Sequence, residues 1–171
     1  MPISIYQASA PVFVRGLNIL ASLLDKAEAH AQAEGLDPAM LVQARLAEDM
    51  YPLSGQIQRA SDTSKFAIQR LSGVAAPSFP DTESTLDELR KRIADTIAYI
   101  KSVAPDKFDG AEGRSISIKL GALQPNFNGP SYLFTFALPN FYFHVATAYD
   151  VLRHVGVKIG KLDYLGPYAA N

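Results

Sequence analysis

Apolar residues recur at intervals of three and four along four long segments, and that period confines most of the chain to helices with one buried face. In the first, Phe13, Leu17, Leu20, Leu24, Ala27 and Ala31 follow intervals of 4, 3, 4, 3 and 4. This helix starts either at Ser9, with Pro11 in its first turn, or near Ser4 with a kink at Pro11. Gly35 is its expected stop. Asp37-Pro38 then opens a short helix, a capping carboxylate followed by proline at the first helical position. Asp49 is expected to cap the second long helix, with Pro52 in its first turn. Its stripe is Leu53, Ile57, Ala60, Ser64, Ala67 and Leu71, and Gly73 is placed to end it.

The stretch GVAAPSFPD reads as a loop. Ser84–Asp87 and Thr85–Glu88 both have the spacing of a capping box, ahead of a third stripe of Leu86, Leu89, Ile93, Ile97 and Ile100. The fourth long helix is expected from Pro130 to about His154, kinked or split at Pro139, with Gly156 as its stop. Between Arg114 and Asn128 the period changes to two: Ser115, Ser117 and Lys119 alternate with Ile116, Ile118 and Leu120. A small hairpin or extended loop laid over the helices is expected there. The glycine-punctuated tail, VGVKIGKLDYLGPYAAN, should wrap the surface. No linker or repeat divides the chain, so residues 1–171 are expected to form one all-α four-helix-bundle domain.

Charge and composition exclude several function classes. Sixteen Lys+Arg against 17 Asp+Glu leave a net charge of −1, without the basic excess of a nucleic-acid binder. With no cysteine there are no disulfides, thiolate metal sites or thiol nucleophiles. No apolar run approaches the roughly 20 residues of a membrane span. The start, MPISIYQASAPVF, lacks the basic and apolar regions of a signal peptide. A cytoplasmic location is the resulting expectation. A homodimer is expected too, because Phe134, Phe141 and Tyr142 place aromatics on several sides of the fourth helix.

Three histidines carry the available site chemistry. His30 and His154 lie near helix ends, where they complement the dipole or face water. His144 stands among aromatics, and Asn140, four residues earlier, shares its face; Thr147 and Val151 continue the stripe. A polar pair on a core-facing stripe needs partners, since an unpaired buried group costs about 1–3 kcal/mol. Two readings follow: a hydrogen-bonded tie between helices, or a metal or small-ligand site inside the bundle. Asp49 or Gln56 would complete either, with Glu48 beside the former. Ser54, Ser61 and Ser64 lack a nucleophile elbow, and no P-loop, dinucleotide fingerprint, HExxH or calcium loop is present.

The segments DMYPLSGQIQRASD (49–62), PNFYFHVATAYDVLRHVGV (139–157) and GKLDYLG (160–166) together resemble a bacterial family of unknown function in the DinB-like/YfiT-like superfamily, whose members are regarded as metalloenzymes. The resemblance spans nearly the whole chain and implies a four-helix bundle. It also implies a metal position matched here by His144, Asn140 and Asp49, with Gln56 the runner-up for the last. Relatives hold their metal with three histidines; here the first of the H-x-x-x-H pair is Asn140. Zn or Ni would therefore be held weakly or not at all by this set. Hydrolase or thiol-transferase activity is implied by the resemblance alone. The alternative is a non-enzymatic ligand-binding or interaction module with a purely structural His/Asn/Asp cluster.

Overall fold

Ser4 opens the first helix: its hydroxyl accepts the Gln7 N–H at 3.2 Å while the Gln7 side chain accepts the Ser4 N–H at 3.0 Å. This computed structural model describes residues 3–168, so the last three residues of the tail lie outside the described residues. The helix α1 (Ile5–Glu34) runs through Pro11, the earlier of the two starts the sequence allows, and ends at Gly35 in the left-handed conformation. Asp37 caps the short α2 (Pro38–Gln43), its carboxylate accepting from the Ala39 N–H at 2.9 Å.

The next boundary corrects the sequence reading. Pro52, not Asp49, is the N-cap of α3 (Leu53–Ser72), and no side chain caps that end. Asp49 lies in an exposed turn. The residue before a proline is pushed out of the helical region, so the helix cannot extend back past Tyr51. Of the two capping boxes ahead of α4 (Leu86–Ser102), Thr85–Glu88 is the one that forms. Two 3₁₀ turns, Pro105–Phe108 and Ala111–Gly113, then lead to β1 (Ile116–Ser117) and β2 (Asn126–Phe127). These pair antiparallel, Ile116 with Phe127 and Ser117 with Asn126, within the expected span.

The last long helix is one rod with a wide turn in it. After α5 (Gly129–Tyr132) comes a π-helical turn over Leu133–Ala137, and then α6 (Leu138–His154). Proline has no N–H, and in a regular α-helix the Pro139 ring would collide with the Thr135 carbonyl. The Leu138 N–H instead reaches back to the Leu133 carbonyl, and the extra residue in that turn gives the ring room. The helical backbone runs on through this turn, so the helix is not split in two. The tail forms α7 (Lys161–Leu165) and lies along α1, where Arg15 donates to the carbonyls of Leu165 and Pro167 at 2.6 and 2.9 Å.

The four long helices α1, α3, α4 and α6 bury the expected stripes, with Ile97 only partly covered. Among the described residues no helix is long and apolar enough to cross a membrane. Phe141 is fully buried against Phe13, ring centroids 5.0 Å apart and nearly perpendicular, so it is not a surplus surface aromatic. Phe134 and Phe143 are the ones left exposed, at 55% and 58%. Close packing of α1 on α6 depends on Gly16, where a Cβ would stand 2.4 Å from Phe141 Cε1. Gly16→Ala is expected to cost about 1–3 kcal/mol in chemical denaturation, because the ring has to give way inside a filled core.

Candidate functional site

Helices α3 and α6 run antiparallel and meet through side chains spaced about two turns apart on α3. Gln56 bonds His144, Thr63 bonds Asn140, and Arg70 bonds Tyr132 just ahead of the π turn. Each seven-residue step is about 10 Å of helix, so these partners mark out one long seam. The seam opens into a cavity of about 230 Å³ lined by polar and aromatic side chains, with Ile118, Lys119 and Leu120 of the hairpin on its outer side. A residue-poor stretch of two short strands thereby acquires a purpose: it forms one wall of the pocket.

His144 is held in a defined state. Its Nδ1 lies 2.8 Å from Gln56 Oε1, and the Gln56 amide nitrogen donates to the Tyr51 carbonyl at 3.0 Å. The second bond fixes which end of the amide faces the imidazole. Because Oε1 can only accept, Nδ1 carries the proton and Nε2 keeps its lone pair. His144 is only 8% exposed, and burial, helped by the nearby Arg59 charge, pushes its pKa down to about 4. It is neutral across the physiological range. Asn140 donates to Thr63 Oγ1 at 2.7 Å, and among the described residues nothing donates to its carbonyl oxygen.

The structure thus brings together His144, Asn140 and Gln56 along the seam, and leaves Asp49 and Glu48 exposed in the turn before α3. His154 is exposed at the end of α6 and His30 half-buried near the end of α1. Sequence reasoning passed over Arg59, Asp62 and Arg70. For Arg59 and Arg70 the signal was available in spacing: 56, 59, 63, 66 and 70 continue one helical stripe, which becomes a pocket wall once α6 is known to lie against it.

Asp62 ties the wall to the rest of the bundle. Its carboxylate receives Lys65 Nζ at 2.9 Å, Arg92 Nη2 at 2.9 Å and Arg59 Nη2 at 3.1 Å. Arg59 also pairs with Asp81, and Arg92 with Asp81 at 3.0 Å and Glu83 at 2.8 Å. Three cations therefore meet three carboxylates, and the loop between α3 and α4 is stapled to both helices.

The residues do not fit a metal centre. Among the described residues no three His, Cys, Asp or Glu side chains converge. The pocket offers one imidazole nitrogen and one amide oxygen, and its carboxylate, Asp62, is already occupied by three cations. A structural or catalytic zinc ion needs three or more protein donors. The Arg59 charge that helps keep His144 unprotonated also opposes a divalent cation at the same place.

Residues 5–165 match the family model described as "Domain of unknown function (DUF1993)". The chain belongs to this family. It is also 39% identical to a DinB family member protein from Shewanella denitrificans, whose crystal structure was determined at 1.83 Å resolution. The match covers 97% of this chain and 95% of that one, with a TM-score of 0.86. No curated protein matches the chain. In this DUF1993 member the DinB-like bundle is thus combined with a seam that carries a single histidine and a row of arginines.

Proposed function

We propose that this DUF1993 protein binds a small molecule in the pocket between α3 and α6, where neutral His144 accepts a hydrogen bond at Nε2. The observation that carries this reading is the Tyr51–Gln56–His144 relay, which fixes the tautomer with its free lone pair on the nitrogen not used by the bundle. A pKa near 4 makes that nitrogen a weak base at neutral pH, which favours recognition over proton abstraction. The second reading, a purely structural cluster, draws on the same bonds, since Gln56–His144 and Asn140–Thr63 both tie α3 to α6.

Nitrogen-15 spectra of the imidazole separate the two. Nδ1 is expected to appear protonated and Nε2 bare from about pH 5.5 to 8, with Nε2 moving when hydrogen-bond-donating fragments are added. An Nε2–H tautomer, or an Nε2 signal that no fragment moves, would favour the structural cluster. Protein purified without an affinity tag or chelator is expected to carry no stoichiometric Zn or Ni by elemental analysis. Bound metal at one equivalent would restore the superfamily-type site of His144, Asn140 and Asp49 as the better account. A homodimer formed by helix faces, with the exposed Phe134 and Phe143 as candidate contacts, also belongs to this proposal, and sedimentation as a monomer at micromolar concentration would remove it.

A further inference from the structure

At the far end of the seam from His144, Arg70 is a cation without a carboxylate. Its Nη1 donates to the Tyr132 hydroxyl at 3.0 Å, and among the described residues no acidic side chain pairs with it. The guanidinium lies 5.6 Å from the Phe66 ring centroid and 5.7 Å from that of Tyr132. Stacking of this kind holds the planar fork in place and strips part of its hydration, which prepares it for a carboxylate. Lys119 of the hairpin lines the same cavity and likewise has no acidic partner among the described residues. The carboxylate in the pocket wall, Asp62, cannot serve either of them, because Arg59, Lys65 and Arg92 already hold it. The cavity is therefore left with uncompensated positive charge beside apolar surface from Phe66, Tyr132 and Phe136.

We infer that the ligand is a small organic acid with an apolar, ring-like body, its carboxylate held by Arg70 and Lys119 and its body against Phe66 and Phe136. This deepens the small-molecule reading above and rests on it. A volume of about 230 Å³ falls below the range for drug-sized ligands and suits a fragment-sized acid. The chemistry excludes two neighbouring classes. A cation would meet the same repulsion that opposes a metal, and a bare inorganic anion would leave the aromatic wall unused.

The test uses benzoate, benzamidine and inorganic phosphate as probes, read by calorimetry and by the Arg70 Nε–H and His144 Nε2 resonances. Benzoate is expected to shift the Arg70 Nε–H signal saturably, benzamidine not at all, and phosphate at least ten-fold more weakly than benzoate. Arg70→Met should weaken benzoate ten-fold or more. Arg70→Lys, which keeps the charge and loses the fork, should fall between. Lys119→Gln, on an exposed position, should weaken benzoate several-fold without touching the core, so the inference stays testable even if Arg70→Met fails to fold. Equal binding of phosphate and benzoate, or benzoate binding indifferent to Arg70 and Lys119, would overturn it. Neutral fragments that move His144 Nε2 while benzoate leaves Arg70 unmoved would sink the acid assignment and leave the pocket reading standing. Benzoate at Arg70 with His144 silent to every probe would do the reverse.

Discussion

Asp62→Ala is expected to destabilise the protein by about 3–5 kcal/mol, because it strands the buried Lys65 ammonium and takes one of three carboxylate partners from buried Arg92. The side chains of Lys65 and Arg92 are each 2% exposed, and both point at Asp62 Oδ1 from 2.9 Å. Arg92 keeps Asp81 and Glu83, whereas Lys65 has no other acidic partner among the described residues. Its ammonium would then be left over the rings of Phe66 and Phe79, 4.9 and 4.3 Å from their centroids, with no anion to balance it. Arg92 would lose one of its bonds while its Nε is already buried with no partner among the described residues. For a chain of this size the loss corresponds to a melting-temperature drop of roughly 6–20 °C. Asp95→Asn makes the control: its pair with Lys91 is exposed, and such pairs contribute about 0–1 kcal/mol. Equal melting temperatures for the two variants would show that the network around Asp62 is solvated.

The second large effect is on acid stability. His144 titrates at about 4 in the folded protein and near 6.5 when exposed, so its folded-state pKa is depressed. Above pH 6.5 both states are neutral and the residue adds no pH dependence. Between 6.5 and 4 the unfolded chain takes up a proton that the folded chain refuses, so stability falls as pH falls. Below about pH 4 the loss is complete, and at about 1.4 kcal/mol per pH unit it amounts to roughly 3 kcal/mol. Comparing the denaturation profiles of the wild type and His144→Gln isolates this contribution, because the carboxylates shared by both proteins cancel. The wild type should lose the extra increment between pH 6.5 and 4. Direct titration of the imidazole by NMR should show a midpoint near 4; a midpoint between 6 and 7 would mean that solvent reaches the ring freely.

Much of the fold was legible because helical period, caps and stops are local. The stripes from Phe13, Leu53 and Leu86 bury as their spacing requires, and Gly35, Gly73 and Thr85 act at the predicted ends. Pro139 was recognised as an anomaly. Its resolution as a π turn was not, because a kink and an added residue both satisfy a missing N–H, and packing of the Leu133–Ala137 turn on α3 selects between them. Asp49 shows the opposite failure. Asp before a proline-containing first turn is a sound capping pattern, yet the proline itself became the cap and left the carboxylate outside the helix.

For the site, the sequence by itself determined that His144 and Asn140 share a face, since a spacing of four is a property of one helix. It also determined that no thiol and no second nearby histidine exists to complete a metal set with them. Which α3 residues meet that face was decided only by the tertiary structure. Antiparallel helices bring residues together in an order that depends on their axial offset, and a shift of one turn would exchange Gln56 for Leu53 or Ala60 opposite His144 without altering either helix's own pattern. The same offset sets Arg70 against Tyr132, and the neutralisation of Asp62 is completed by Arg92 on α4, 30 residues further along. Hydrogen bonds and charge balance across a bundle are sums over several elements. Local spacing fixes each contributor, and only packing fixes the sum.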